Sequence, residues 1–155
     1  MNSIFMLASL SSWTVFIILI LPIVCLGSSK YGPTVGMMAL FVWLFIVGIA
    51  INKVNVIKSK IKFNFFIFCI LYSIAFQIIN KIFIHTENDV ITIFQYLLII
   101  SIFYPFLFVS QSLVFAEEKK RVKVNRYIGT FILFWLFPIG VWFLQPRIKA
   151  VLEEK

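Results

Sequence analysis

Charge is what this 155-residue sequence has least of: Asp, Glu, Lys and Arg make up 13% of it, about half the share in a soluble domain. Acids are scarcest. Glu87, Asp89, Glu117, Glu118, Glu153 and Glu154 are the full set, and none lies inside an apolar run. Proton relays and cation pathways through a bilayer are built on buried carboxylates. Their absence argues against a proton- or cation-coupled transporter and against paired-carboxylate hydrolysis. There is one histidine, and Cys25 and Cys69 each stand alone in apolar surroundings, so no metal-ligand spacing can be drawn. Neither an H-E-x-x-H motif nor a glycine-rich phosphate loop occurs, and no nucleophile, base and orienting group can be assembled. The expectation is a chain with no catalytic residues, no cofactor and no metal.

What replaces charge is hydrocarbon. The sequence is 62% hydrophobic and 18% aromatic, with 19 phenylalanines. A single domain of this length keeps too much surface exposed to hide that much apolar mass in its core. Lipid is the expected solvent. The net charge of +8 would suit nucleic acid in a soluble protein. Here the basic residues sit in short gaps between apolar runs, which points to membrane topology and anionic headgroups and against a nucleic-acid partner.

A transmembrane helix needs about 20 mostly apolar residues. Five candidates share the single domain 1–155: residues 4–27, 35–51, 63–84, 91–116 and 127–145. The first lacks the basic leader of a secretory signal, and Val24 stands where a lipoprotein cleavage site wants a small residue, so it reads as a retained helix. The gap after the second holds Lys53, Lys58, Lys60 and Lys62; the gap after the fourth holds Lys119, Lys120, Arg121, Lys123 and Arg126. The opposite face holds only Lys30. This asymmetry predicts that both basic gaps and the N-terminus are cytoplasmic and that the turn around Glu87 is outside. The fold class expected is an all-α polytopic membrane bundle: four transmembrane helices plus a fifth embedded segment broken by proline and glycine.

Polar residues within the apolar runs are few. Ser73, Gln77 and Lys81 share one helical face, with Asn80 at its edge. Gln95 and Tyr96 lie at matching depth across a short turn, so an amide–amide bond between Asn80 and Gln95 is expected. Such groups are chiefly interhelical glue; the alternative is a pore lining. Tyr104-Pro105 predicts a kink in the fourth helix, with the Ser101 hydroxyl near the carbonyl that proline frees.

The last segment is ambiguous. Residues 128–145 would span about 27 Å as a helix, enough for a kinked span that ends at Pro146 and leaves the tail outside. That is the expectation. The alternative is a re-entrant turn at Pro138 and Gly140, which returns the tail inside and requires neighbouring helices to cover the free backbone groups. Arg147 and Lys149 pull toward the inside. The stretch "YIGTFILFWLFPIGVWFLQPRI" resembles the C-terminal end of a loose group of short, uncharacterised bacterial polytopic membrane proteins. The resemblance covers roughly residues 110–149, with Tyr127, Gly129, Pro138, Gly140, Trp142, Gln145, Pro146 and Arg147 at the matching positions. It implies a bacterial multi-pass membrane protein and carries no activity.

The function expected is a non-catalytic subunit of the bacterial cytoplasmic (inner) membrane, a sensor or scaffold. It would form a homo-oligomer and dock a cytoplasmic protein through its basic loops. Size and topology parallel membrane subunits of bacterial anti-phage systems, which places defence or stress among its settings by analogy. A small oligomeric channel lined by Gln77, Asn80, Lys81 and Gln95 is the alternative, and a lipid-handling enzyme ranks last.

Overall fold

The computed structural model describes residues 3–26, 32–55, 59–83, 89–119, 124–137 and 139–154; residues 80–83, 89–93 and 124 are described by backbone alone. Among the described residues there are seven α-helices and no strand: α1 (Ser3–Ala8), α2 (Ser12–Leu26), α3 (Gly32–Val54), α4 (Lys60–Phe83), α5 (Asp89–Glu118), α6 (Val124–Trp135) and α7 (Gly140–Glu153). Long apolar runs choose the helix because it satisfies every backbone group within one segment. Within α3, α4 and α5 the stretches Gly32–Val54, Lys60–Ile79 and Phe94–Glu118 are long and apolar enough to cross a membrane.

The central element is α3, which packs on α1, α2, α4, α5 and α7. Its Phe41, Leu44, Val47 and Ile51 are fully buried. Small residues let neighbours approach closely. Gly36 lies under Ile23 of α2, and Gly48 lies under the Phe66 ring of α4, where an added Cβ would overlap the ring. Phe66 in turn stacks on Phe108 of α5 at 4.6 Å, which ties three helices into one core.

Two expectations about the elements are corrected. The first apolar run is not one helix. It breaks at Ser9–Ser11 into α1 and the 15-residue α2. Serine favours caps over helix interiors because its hydroxyl competes for nearby backbone groups. Ser11 Oγ accepts from the Thr14 N–H at 3.2 Å, an N-cap for α2, while Ser9 Oγ donates to the Met6 carbonyl at 3.1 Å.

The fifth segment is not a kinked span. It is a helical hairpin, α6 and α7, closed by a turn that ends at Ile139. Arg147 Nη1 donates to Thr130 Oγ1 at 3.1 Å across 17 residues, a separation of about 25 Å had the helix run on. Gly140 sits so close to α6 that a Cβ there would collide with the Leu133 carbonyl. Nor does Pro146 end the segment: α7 runs through it to Glu153. Pro105 likewise lies inside a continuous α5, and the Ser101 hydroxyl donates to the Leu97 carbonyl at 2.9 Å, one turn earlier than expected.

The hairpin is short. α6 has 12 residues, about 18 Å. Near its tip, Phe134 meets Trp43 at 5.8 Å and Trp135 stacks on Phe103 at 4.7 Å. Trp43 and Phe103 are near the middle of α3 and α5, so the tip reaches about half the height of the bundle.

Candidate functional site

The C-terminal hairpin is held by residues close in sequence that reach in opposite directions. Gln145, 1% exposed, donates through Nε2 to the Ala8 carbonyl at 2.8 Å and the Leu10 carbonyl at 2.7 Å. Those are carbonyls freed by the break between α1 and α2, so one buried amide satisfies the backbone that the break exposes. Trp142, half-buried, closes the same seam with its ring 4.3 Å from Trp13 and 5.5 Å from Phe16. Arg147 faces away and grips α5. Its Nε and Nη2 donate to both Glu117 carboxylate oxygens at 2.7 Å, the bidentate geometry that makes arginine–carboxylate pairs strong. Pro146 between them is exposed. Pro138 lies outside the described residues.

Contacts at one end of the bundle fix where the basic residues stand. Asn55, just past α3, donates to the Ser112 carbonyl of α5 at 3.0 Å. Lys62, near the start of α4, donates to Gln111 at 3.4 Å. Lys53 Nζ lies 6.0 Å from the Phe5 ring of α1. Lys119 ends α5 in a left-handed conformation, φ 52°, and pairs with Glu154 at 3.2 Å. The start of α1, the end of α3, the start of α4, the end of α5 and the end of α7 therefore meet at one end, and the chain tail lies there too. The rim is uneven. Glu117 and Glu154 compensate cations on the α5–α7 side, and Lys149 pairs with Glu153 at 3.6 Å. Lys53 and Lys60 on the α3–α4 side are exposed and have no acid within reach among the described residues, and Arg126 is exposed on α6. Lys58, Lys120, Arg121 and Lys123 lie outside the described residues.

The polar stripe on α4 is only partly assembled. Ser73 is fully buried and its Oγ has no hydrogen-bond partner among the described residues. Gln77 is half-buried, and Gln95 and Tyr96 on α5 are exposed. The side chains of Asn80 and Lys81 lie outside the described residues, so the expected Asn80–Gln95 bond does too. Near this stripe the two helices are joined by the Tyr72 hydroxyl, which donates to the Phe94 carbonyl at 2.9 Å.

A cavity of about 280 Å³ opens between α3 and the broken pair α1–α2, lined among others by Leu7, Leu10, Leu19, Ala39, Trp43 and Ile46. Its lining is almost wholly apolar, with the Trp43 indole N–H the one polar side-chain group among the lining residues. Among the described residues no group of three or more His, Cys, Asp or Glu side chains is placed to hold a metal.

Sequence reasoning missed the break, the Gln145 contacts and the Glu117 clasp. The signal for the break was present in Ser9, Ser11 and Ser12, three hydroxyls crowded into one apolar run. Nothing in sequence pairs Gln145 with carbonyls 135 and 137 positions away. No family model, curated protein or solved structure matches the chain.

Proposed function

We propose that this chain is a non-catalytic integral membrane subunit, of the bacterial inner membrane, that self-associates and offers a basic face to a cytoplasmic protein. The N-terminus, both basic connectors and the C-terminus face the cytoplasm. The observation that carries this reading is the clasp of Arg147 on Glu117 and Thr130. It returns the tail to the end of the bundle where Lys53, Lys60, Lys62, Lys119 and Arg126 stand, the arrangement that the positive-inside rule demands. Broken backbone inside a membrane is tolerated when protein buries it or when it lines a water-filled cavity. Here Gln145 and the Trp13–Trp142 pair cover the break, which supports a rigid scaffold over a conduit.

The docking face is the uncompensated start of α4 around Lys60 together with the connector 119–126, and its partner is an acidic protein surface. Self-association uses the lipid-exposed sides of α4 and α5, since symmetric closure is the usual way small chains build larger bodies. Cysteines introduced at Ser59 and after the C-terminus test the topology. Both react with a membrane-impermeant maleimide only after lysis; labelling of either in intact cells overturns it. Partner capture from the cytoplasmic fraction tests the docking face. It is lost when Lys60, Lys119, Lys120, Arg121 and Lys123 become Gln, and undiminished capture removes that face from the proposal.

The buried, unpartnered Ser73 hydroxyl beside half-buried Gln77 is what favours the second reading, a small channel. Ion flux through liposomes that changes with Gln77→Leu would carry it; flux equal to that of empty vesicles removes it.

A further inference from the structure

We infer that the seam between α1–α2 and α3 is a binding site for one anionic phospholipid of the cytoplasmic leaflet, with its phosphate at Lys53 and one acyl chain in the cavity below.

The cavity, about 280 Å³, lies astride the break at residues 9–11: Leu7 lines it before the break, Leu10 within it and Leu19 beyond it. Across from them it is lined by Ile46, Trp43 and Ala39 of α3. Residues 53, 46 and 39 are successive heptad positions, so Lys53, Ile46 and Ala39 share one face of α3. Phe5 of α1 lies under Lys53 Nζ at 6.0 Å, so α1 and the end of α3 meet above the cavity-lining face of α3. The lysine and the cavity are therefore the mouth and floor of one seam.

Depth fits a lipid. Ile46 lies about 10 Å and Ala39 about 21 Å below Lys53 along the helix. From headgroup to midplane one leaflet measures about 20–22 Å, half the full bilayer thickness. A phosphate at the level of Lys53 thus sets its chain alongside these residues and ends it near the midplane.

Charge decides which lipid. Lys53 is exposed and has no acid within reach among the described residues, whereas cations on the α5–α7 side of the rim are paired. A lysine near the membrane surface favours an anionic headgroup by about fivefold. A zwitterionic headgroup gains no such preference. The indole N–H of Trp43 is the one polar side-chain group among the lining residues, so the cavity suits an acyl chain and would leave most polar groups of a soluble metabolite unpaired.

Trp43 in the cavity wall is the reporter. In phosphatidylcholine vesicles, a variant with Trp13, Trp135 and Trp142 changed to Phe carries Trp43 as its sole tryptophan. Phosphatidylglycerol brominated on its acyl chain quenches Trp43 about fivefold more effectively than brominated phosphatidylcholine at the same mole fraction. Lys53→Gln abolishes that difference, and Ala39→Phe, which fills the cavity, lowers quenching by both lipids. Equal quenching by the two lipids overturns the inference, as does a difference that survives Lys53→Gln. Loss of quenching as the protein-to-lipid ratio rises also overturns it, because a second copy would then be the occupant. Should the triple variant fail to fold, native mass spectrometry of the unaltered chain decides. One anionic lipid retained per chain and lost in Lys53→Gln supports the site; none retained overturns it. The inference rests on the proposed cytoplasmic placement of Lys53 but not on partner docking. The maleimide and capture experiments leave Lys53 intact, so either reading can fail alone.

Discussion

Helices α4 and α7 reverse the rule by which soluble proteins are read. The long helix α4 is apolar enough to span a bilayer, yet 22% of its apolar window is buried. Phe68, Leu71 and Ile79 on it are more than half exposed. The shorter α7 carries Gln145, Pro146 and Arg147, and it buries Gln145 to the same 1% exposure as its neighbour Leu144. Lipid explains the difference. A leucine gains little by leaving hydrocarbon for a protein interior, whereas a polar group has no partner in lipid and must find one in the protein. On α7 polarity therefore marks the contact face, whereas on α4 hydrophobicity marks the face left to lipid.

Substitutions along the two helices test that contrast. The largest effect is expected from Gly140→Val, because added carbons meet the Leu133 carbonyl and the hairpin cannot close. A loss of about 3 kcal/mol, the upper end of overpacking costs, is expected in reversible unfolding from detergent. Arg147→Ala comes next. It removes the bidentate pair and the Thr130 bond and leaves the Glu117 carboxylate without this partner, at a cost of about 2 kcal/mol for charge-assisted bonds. A cysteine after Glu154 should then become more reactive in the same preparation, and an unchanged rate would deny the clasp its role in holding the tail. Gln145→Leu keeps the volume and loses both carbonyl contacts, for about 1 kcal/mol, as for other intramembrane polar bonds. Amide exchange at Ser12 and Trp13 should quicken with it, since the break loses its cover. The smallest change belongs to α4. Leu71→Ala and Ile79→Ala should each shift stability by less than about 0.5 kcal/mol, as lipid replaces the lost methyl groups. A loss of several times that would mean these side chains are buried in an interface between copies.

Part of this architecture is legible in the sequence. The apolar runs announce helices, and the residue-53-to-62 and 117-to-126 connectors announce one basic end. Local composition fixes both features. The glycine at 140 and the tryptophan at 142 also stood out, because a glycine beside a proline in an apolar run invites a turn. The direction after the turn did not follow. A kinked span and a hairpin use the same residues, and the distinction depends on whether Arg147 finds Glu117, 30 positions earlier. Pro105, by contrast, interrupts no helix: it lies buried within a continuous α5. Three serines outweighed it, since Ser9–Ser11 broke a run that hydropathy alone reads as continuous.

Composition and spacing by themselves settled that this chain is all-helical, with segments apolar enough for lipid and basic residues gathered in two connectors, because these properties depend on neighbours a few positions apart. Only the tertiary structure decided that the last segment doubles back, that Gln145 serves a break at the far end of the chain, and that a cavity opens between α3 and the broken α1–α2 pair. Each of those depends on groups that become neighbours after the helices pack, and a hydrogen bond of 2.7 Å between residues 135 positions apart leaves no local trace in either stretch.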